Sequence, residues 1–213
     1  MIAFFVEGVT DGPPEDCSAA EFHPNVLGAQ TEDTLIDLPP GVGVAIPPTT
    51  GLRFQLHFVN AGSADAIAGV TTRFHVAAPG SIRDHAGQLL FSNGSITIPP
   101  DVPTDVTRSC AAPSDVFLLG ASPHTHQHAV NFKVSTGGSL LFETKDLVEP
   151  VPHRFDPPFH LPAGQDVTFT CSYVNPTGRT ITFGESAVSN EMCILGAIYY
   201  PVVDPASPNI TCF

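Results

Sequence analysis

His124-Thr125-His126 and, far downstream, Asn190-Glu191-Met192-Cys193 are the residues of this chain best suited to metal chemistry. Side chains alternate between the two faces of an extended strand, so histidines one residue apart share a face and can close on one ion. A methionine thioether is a soft ligand that selects copper, above all Cu(I), over zinc, calcium or magnesium. His-X-His with a Met beside a cysteine therefore reads as a copper site. His-X-His alone carries little weight in a chain with 9 histidines, because short motifs recur by chance. The thioether supplies the discrimination. His128 has the parity of 124 and 126, so it is either a further residue on the metal or a neighbour facing solvent. The bland alternatives are a polar pair on an exposed strand and, for Met192, an ordinary gap-filling core residue.

The elements that must hold these residues are strands. The 213 residues contain 22 Pro and 18 Gly, no Trp, and only 14% charged residues, which suits short strands and turns rather than long amphipathic helices. Strands are expected at Leu52–Val59, Ala66–Ala77, Ser95–Ile98, Val116–Leu119, Val130–Ser135, Leu140–Glu143, Val167–Val174, Thr180–Phe183 and Cys193–Tyr200, with Pro, Gly and Asn between them. One short helix is possible around Pro14–Glu21. The pattern predicts an all-β protein of two antiparallel, jelly-roll-like β-sandwich domains, residues 1–80 and 82–213, the first incomplete. The breaker cluster Ala78-Pro-Gly-Ser81 marks the boundary.

A net charge of −13 argues against nucleic acid or an anionic membrane as partner. No run approaches the ~18 apolar residues of a membrane-spanning helix. The N-terminal Met-Ile-Ala-Phe-Phe-Val-Glu-Gly is not a secretory signal, for it lacks a basic start and a small-residue cleavage site. Five cysteines and few lysines nevertheless suit an exported, extracellular or periplasmic protein, with the export signal missing from this chain. Cys110, Cys171, Cys193 and Cys212 cluster in the C-terminal half, whereas Cys17 stands alone, either a free thiol or a residue whose partner is not in this sequence. The four could also be metal thiolates, although no Cys-X-X-Cys spacing occurs.

The C-terminal half resembles the second copper domain of the ascorbate-dependent type II copper monooxygenases, the family of peptidylglycine α-hydroxylating and dopamine β-monooxygenases. Pro123-His-Thr-His126, the Cys-Ser-Tyr-Val-Asn-Pro stretch from Cys171, and Asn190-Glu-Met-Cys193 running into Tyr199-Tyr-Pro201 carry that resemblance over roughly residues 82–213. It implies disulfides Cys110–Cys212 and Cys171–Cys193. It also implies that His124, His126 and Met192 hold an O2-activating copper that hydroxylates a C–H bond of a small organic substrate. Leu38-Pro-Pro-Gly-Val-Gly43 followed by Leu52-Arg-Phe-Gln-Leu-His57 resembles the end of the family's first copper domain. By that resemblance His57 is one of three imidazoles on a second copper, which takes electrons from ascorbate or another one-electron donor. The other two come from an adjacent His-His pair, and this sequence has none. Met1-Ile-Ala-Phe-Phe resembles the stretch just after that pair, so an N-terminally truncated and at best feebly active member is expected. Ile194 and Gly196 stand where peptide-amidating members have Asn and Tyr, which disfavours peptidylglycine as substrate. A non-catalytic copper-binding protein and a metal-free β-sandwich interaction module remain as alternatives.

Overall fold

The structure is a computed structural model and describes all residues except 1, 9, 14, 16–24, 31–32, 49, 57–61 and 205–206. The described residues form no helix. In chain order the strands are β1 (Ile2–Glu7), β2 (Asn25–Gly28), β3 (Val42–Gly43), β4 (Thr50–Gln55), β5 (Asp84–His85), β6 (Gly87–Ser92), β7 (Thr97–Ile98) and β8 (Thr104–Ala111). The rest are β9 (Val116–Thr125), β10 (Ala129–Thr136), β11 (Ser139–Thr144), β12 (His153–Leu161), β13 (Asp166–Tyr173), β14 (Ile181–Thr182), β15 (Cys193–Tyr200) and β16 (Asn209–Cys212).

Two sheets make the body, a five-stranded one in the order β12-β9-β15-β6-β16 and a four-stranded one in the order β11-β10-β13-β8. All pairings within them are antiparallel except β16 with β6. Period-two burial explains the layering. Val167, Phe169, Cys171 and Tyr173 of β13 are buried, as are Cys193, Leu195, Ala197 and Tyr199 of β15, while the residues between them are half-exposed or exposed. These buried faces meet in one core, with Phe132 fully enclosed between Phe169 and Phe142, its ring centroid 6.2 and 6.4 Å from theirs. Two disulfides join the sheets: Cys171–Cys193 links β13 to β15, and Cys110–Cys212 links β8 to β16. Both are the pairs that the resemblance implies. With these sulfurs bonded to each other, the four-thiolate metal site is excluded.

β1, β2 and β4 form a separate antiparallel sheet, and a parallel bridge of β3 with β5 ties residues 42–43 to 84–85. Between these parts, Ala78–Ser81 makes a turn in which the Ser81 hydroxyl bonds the Ala78 carbonyl at 2.7 Å. The strand expected over Ala66–Ala77 is not formed: no residue of that stretch is in a strand, and Ile67 and Val76 are almost wholly exposed. Alternation makes a segment able to pair, but a strand forms only where an edge accepts its N–H and C=O groups, and this segment has met none. Of Leu52–Val59, the part to Gln55 is strand; His57 and its neighbours lie outside the described residues, as do Cys17 and nearly all of the possible helix at Pro14–Glu21.

Candidate metal centre

β9 carries the histidine pair beyond the point where its neighbour on one side ends. β12 pairs with β9 only as far as Ala121, whereas β15 continues along the other side through Ser122↔Gly196, Ile194↔His124 and Cys193↔Thr125. This asymmetry explains how Pro123 is tolerated in a strand. Proline cannot donate to a ladder, and here its N–H-less side looks onto the edge that β12 has vacated.

Register then decides which side chains meet. Cys193 and Thr125 are opposite one another and both are buried toward the core. Ile194 and His124, the next pair, consequently lie on the outer face; His126, just past the end of β9, brings its ring against that of His124, and Met192 immediately precedes β15. The two imidazoles stand edge to face, 5.6 Å between centroids at an interplanar angle of 89°. Met192 is covered, at 8% exposure.

Each ring is held through Nδ1. The His126 Nδ1 lies 3.0 Å from the Asn190 carbonyl oxygen, which can only accept, so that nitrogen carries a hydrogen, and in the neutral ring Nε2 bears the lone pair. His124 Nδ1 lies 2.7 Å from Oε1 of Gln30, whose Nε2 donates to the Pro123 carbonyl at 2.7 Å. Metal-ligating histidines are oriented in this way, with one ring nitrogen donating to an oxygen and the other presented as ligand.

Behind the pair lies a residue whose role the sequence did not disclose. Glu191 is fully buried, and its two carboxylate oxygens accept the backbone N–H groups of His126 at 2.9 Å and His128 at 2.7 Å. Charge-assisted bonds of this kind are stronger than neutral ones. They fix the turn that ends β9 against the residue immediately before Met192. The Met192 carbonyl in turn accepts the Tyr173 hydroxyl at 2.7 Å. Burial, and after it the Glu191 charge, push the Tyr173 phenol far above its usual range, so it remains a donor. Glu191 lies inside the Asn190-Glu-Met-Cys193 motif, but the motif does not disclose this role; only the return of the chain after His126 reveals it.

Other motif residues are structural. Asn175 is fully buried; its Nδ2 donates to the carbonyls of Ile98 and Arg179 and its Oδ1 accepts from Thr177, which fastens the loop after β13. His153 stacks on Phe142 at 5.0 Å, and His160 lies 3.4 Å from Asp115 on the surface. His128 does not join His124 and His126, since among the described residues no three His, Cys, Asp or Glu side chains converge on a point. A shallow concavity of about 370 Å³, lined by Asn93, Thr97, Thr104, Asp105 and Arg108 among others, contains none of the candidate ligands.

Two imidazoles and a thioether, with no carboxylate or thiolate among them, form a donor set that fits copper. No protein-family model matches the chain, and no curated protein matches it.

Proposed function

We propose that the chain is a copper protein of the monooxygenase type, with His124, His126 and Met192 as ligands of one copper. The observation that carries this reading is the pair of imidazoles anchored through Nδ1, by Asn190 and Gln30, beside the segment that leads from Met192 into β15. When bound, copper supplies one-electron redox chemistry and O2 activation. The protein's own part is geometry. Asn190 and Gln30 hold the ring protons at Nδ1, Glu191 fixes the backbone of the turn, and Tyr173 holds the Met192 carbonyl.

The outer face beside the ligands favours a small, neutral or weakly polar substrate. Ile194 is in register with His124, Gly196 with Ser122, and Ile198 with Gly120, so the β15 row next to the site carries no charge. Such a row offers no partner to a substrate carboxylate, and peptidylglycine is accordingly not the proposed substrate. The proposed co-substrates are O2 and ascorbate or another one-electron donor, with His57 as a ligand on the electron-transfer side. Residues 1–80 and 82–213 are proposed as the two copper domains. Two disulfides are what chains matured in an oxidising compartment carry, and an extracellular or periplasmic location is proposed on that basis. No helix among the described residues is long and apolar enough to cross a membrane.

A second reading, a protein that holds one copper without turnover, is favoured by the single pair of facing imidazoles that the described residues bring together at this site. Oxygen consumption by the Cu-loaded chain with ascorbate separates the two. Steady uptake by the chain, or by the chain joined to an upstream segment that carries the adjacent His-His pair, supports the monooxygenase; tight copper binding without uptake in both supports the non-catalytic copper protein.

A further inference from the structure

We infer that Gln30 is a positioning residue for His124, through which the N-terminal part of the chain governs the metal affinity of a site built on the C-terminal sandwich. Three contacts support it. The Gln30 amide accepts at Oε1 from His124 Nδ1 (2.7 Å), and its Nε2 donates to the Pro123 carbonyl (2.7 Å) and lies 3.4 Å from the Ser122 hydroxyl. The orientation of this amide is dictated by chemistry. The Pro123 carbonyl only accepts, so the NH2 faces it, and the amide oxygen is left to face the imidazole. That oxygen also only accepts, so His124 keeps a hydrogen on Nδ1 and, in its neutral form, its lone pair on Nε2.

The fold explains why the task falls to a residue more than ninety positions away in sequence. In an antiparallel ladder a residue's N–H and C=O point the same way, so Pro123, with no N–H, turns its carbonyl toward the edge where β12 has stopped at Ala121. Gln30 takes the place of the missing strand. It satisfies the carbonyl and, with the other end of the same amide, fixes the ring one residue on.

The tautomer part of this inference stands on the hydrogen bonds alone; the affinity part rests on the copper reading above. The test is made on the full metal-free chain at about pH 8, where a histidine of ordinary pKa is neutral. Nitrogen-15 spectra of the imidazoles are compared for the wild type, Gln30→Ala and Gln30→Glu. The wild type is expected to hold His124 as the Nδ1–H form. Gln30→Ala should shift it toward the Nε2–H form that free histidine prefers, and Gln30→Glu, which keeps an acceptor, should restore Nδ1–H. His126, anchored by Asn190, should not change in either variant and reports that the fold is intact. In parallel, Cu(I) affinity is measured by competition with a chromophoric chelator, and Gln30→Ala is expected to bind about tenfold more weakly. An unchanged His124 tautomer in Gln30→Ala overturns the inference. So does a Cu(I) affinity within twofold of the wild type. If the wild type binds no Cu(I), the copper reading fails, and the tautomer comparison alone decides the role of Gln30.

Discussion

The smallest contacts of the site carry its most specific consequences. Glu191 is buried with two backbone N–H groups on its carboxylate, so Glu191→Ala leaves both donors without a partner. Each orphaned donor costs up to about 1–3 kcal/mol, and a loss of up to roughly 6 kcal/mol in urea unfolding is expected. The variant should also weaken Cu(I) binding about tenfold, because the turn holding His126 is released. Tyr173→Phe removes only one neutral bond, to the Met192 carbonyl, and should cost about 1 kcal/mol. Its effect depends on pH in a definite direction. The folded-state pKa of Tyr173 is raised, so the stability linked to this group is fully present below the ordinary tyrosine pKa, near 10, and is lost as pH climbs above it. Burial raises Tyr199 as well, in the same direction. Stability measured above about pH 10 should therefore fall more gently in Tyr173→Phe than in the wild type. An identical slope in both would show that the buried phenol does not govern this limb.

At the scale of elements, the disulfides lend themselves to a direct comparison. Cys110–Cys212 closes a span of 102 residues and Cys171–Cys193 one of 22. Chain-entropy arguments assign the longer closure the larger stabilisation, about 4.7 kcal/mol against a little over 3. Replacing Cys110 and Cys212 together by serine should consequently lower the unfolding free energy by about 2–5 kcal/mol, and more than the corresponding Cys171/Cys193 pair, as read from urea midpoints. Equal or reversed losses would point to native-state effects at the shorter bridge.

What the sequence made legible at this scale follows from alternation. β10, β13 and β15 were readable because their apolar residues recur every second position over a long stretch. β9 was readable only as Val116–Leu119, since Gly120, Ser122 and Pro123 hide its continuation to Thr125; the reason Pro123 fits is the early end of β12, a tertiary fact. β12 itself went unread, because Pro157 and Pro158 look like breakers and are compatible only with the edge position it occupies. β6, β8 and β16 were missed as well, since hydrophilic outward residues dilute β8 and the other two carry little alternation. The segment 66–77 shows the opposite failure, a strand pattern with no edge to join. At the site, His124, His126, Met192 and the four cysteines came from motif and resemblance. Gln30 had no sequence signal, and Glu191 had only its place in the Asn190-Glu-Met-Cys193 motif without its role, because both act through contacts between segments distant in the chain.

The whole molecule is uneven in the way its apolar surface is covered. The core cluster runs from Leu89 to Tyr199 and is cross-linked by both disulfides, whereas the segment between β4 and β5 exposes Ile67, Val70, Phe74 and Val76. Regions with few buried contacts open locally at low cost. Limited proteolysis is expected to cut first within residues 1–80 and to leave a resistant core beginning near residue 82. First cleavage inside 82–213 would contradict this distribution of stability. Any disorder of the N-terminal part should also be felt at the proposed copper site, since Gln30 belongs to it and bonds His124.

The central claim, a copper held by two imidazoles and a thioether, is tested most directly by metal stoichiometry. The purified chain and its Met192→Ala variant are loaded with Cu(I), desalted and assayed for bound copper. About one copper per wild-type chain is expected, with its loss or marked weakening in Met192→Ala. Copper absent from both proteins, or held equally by both, would contradict the site.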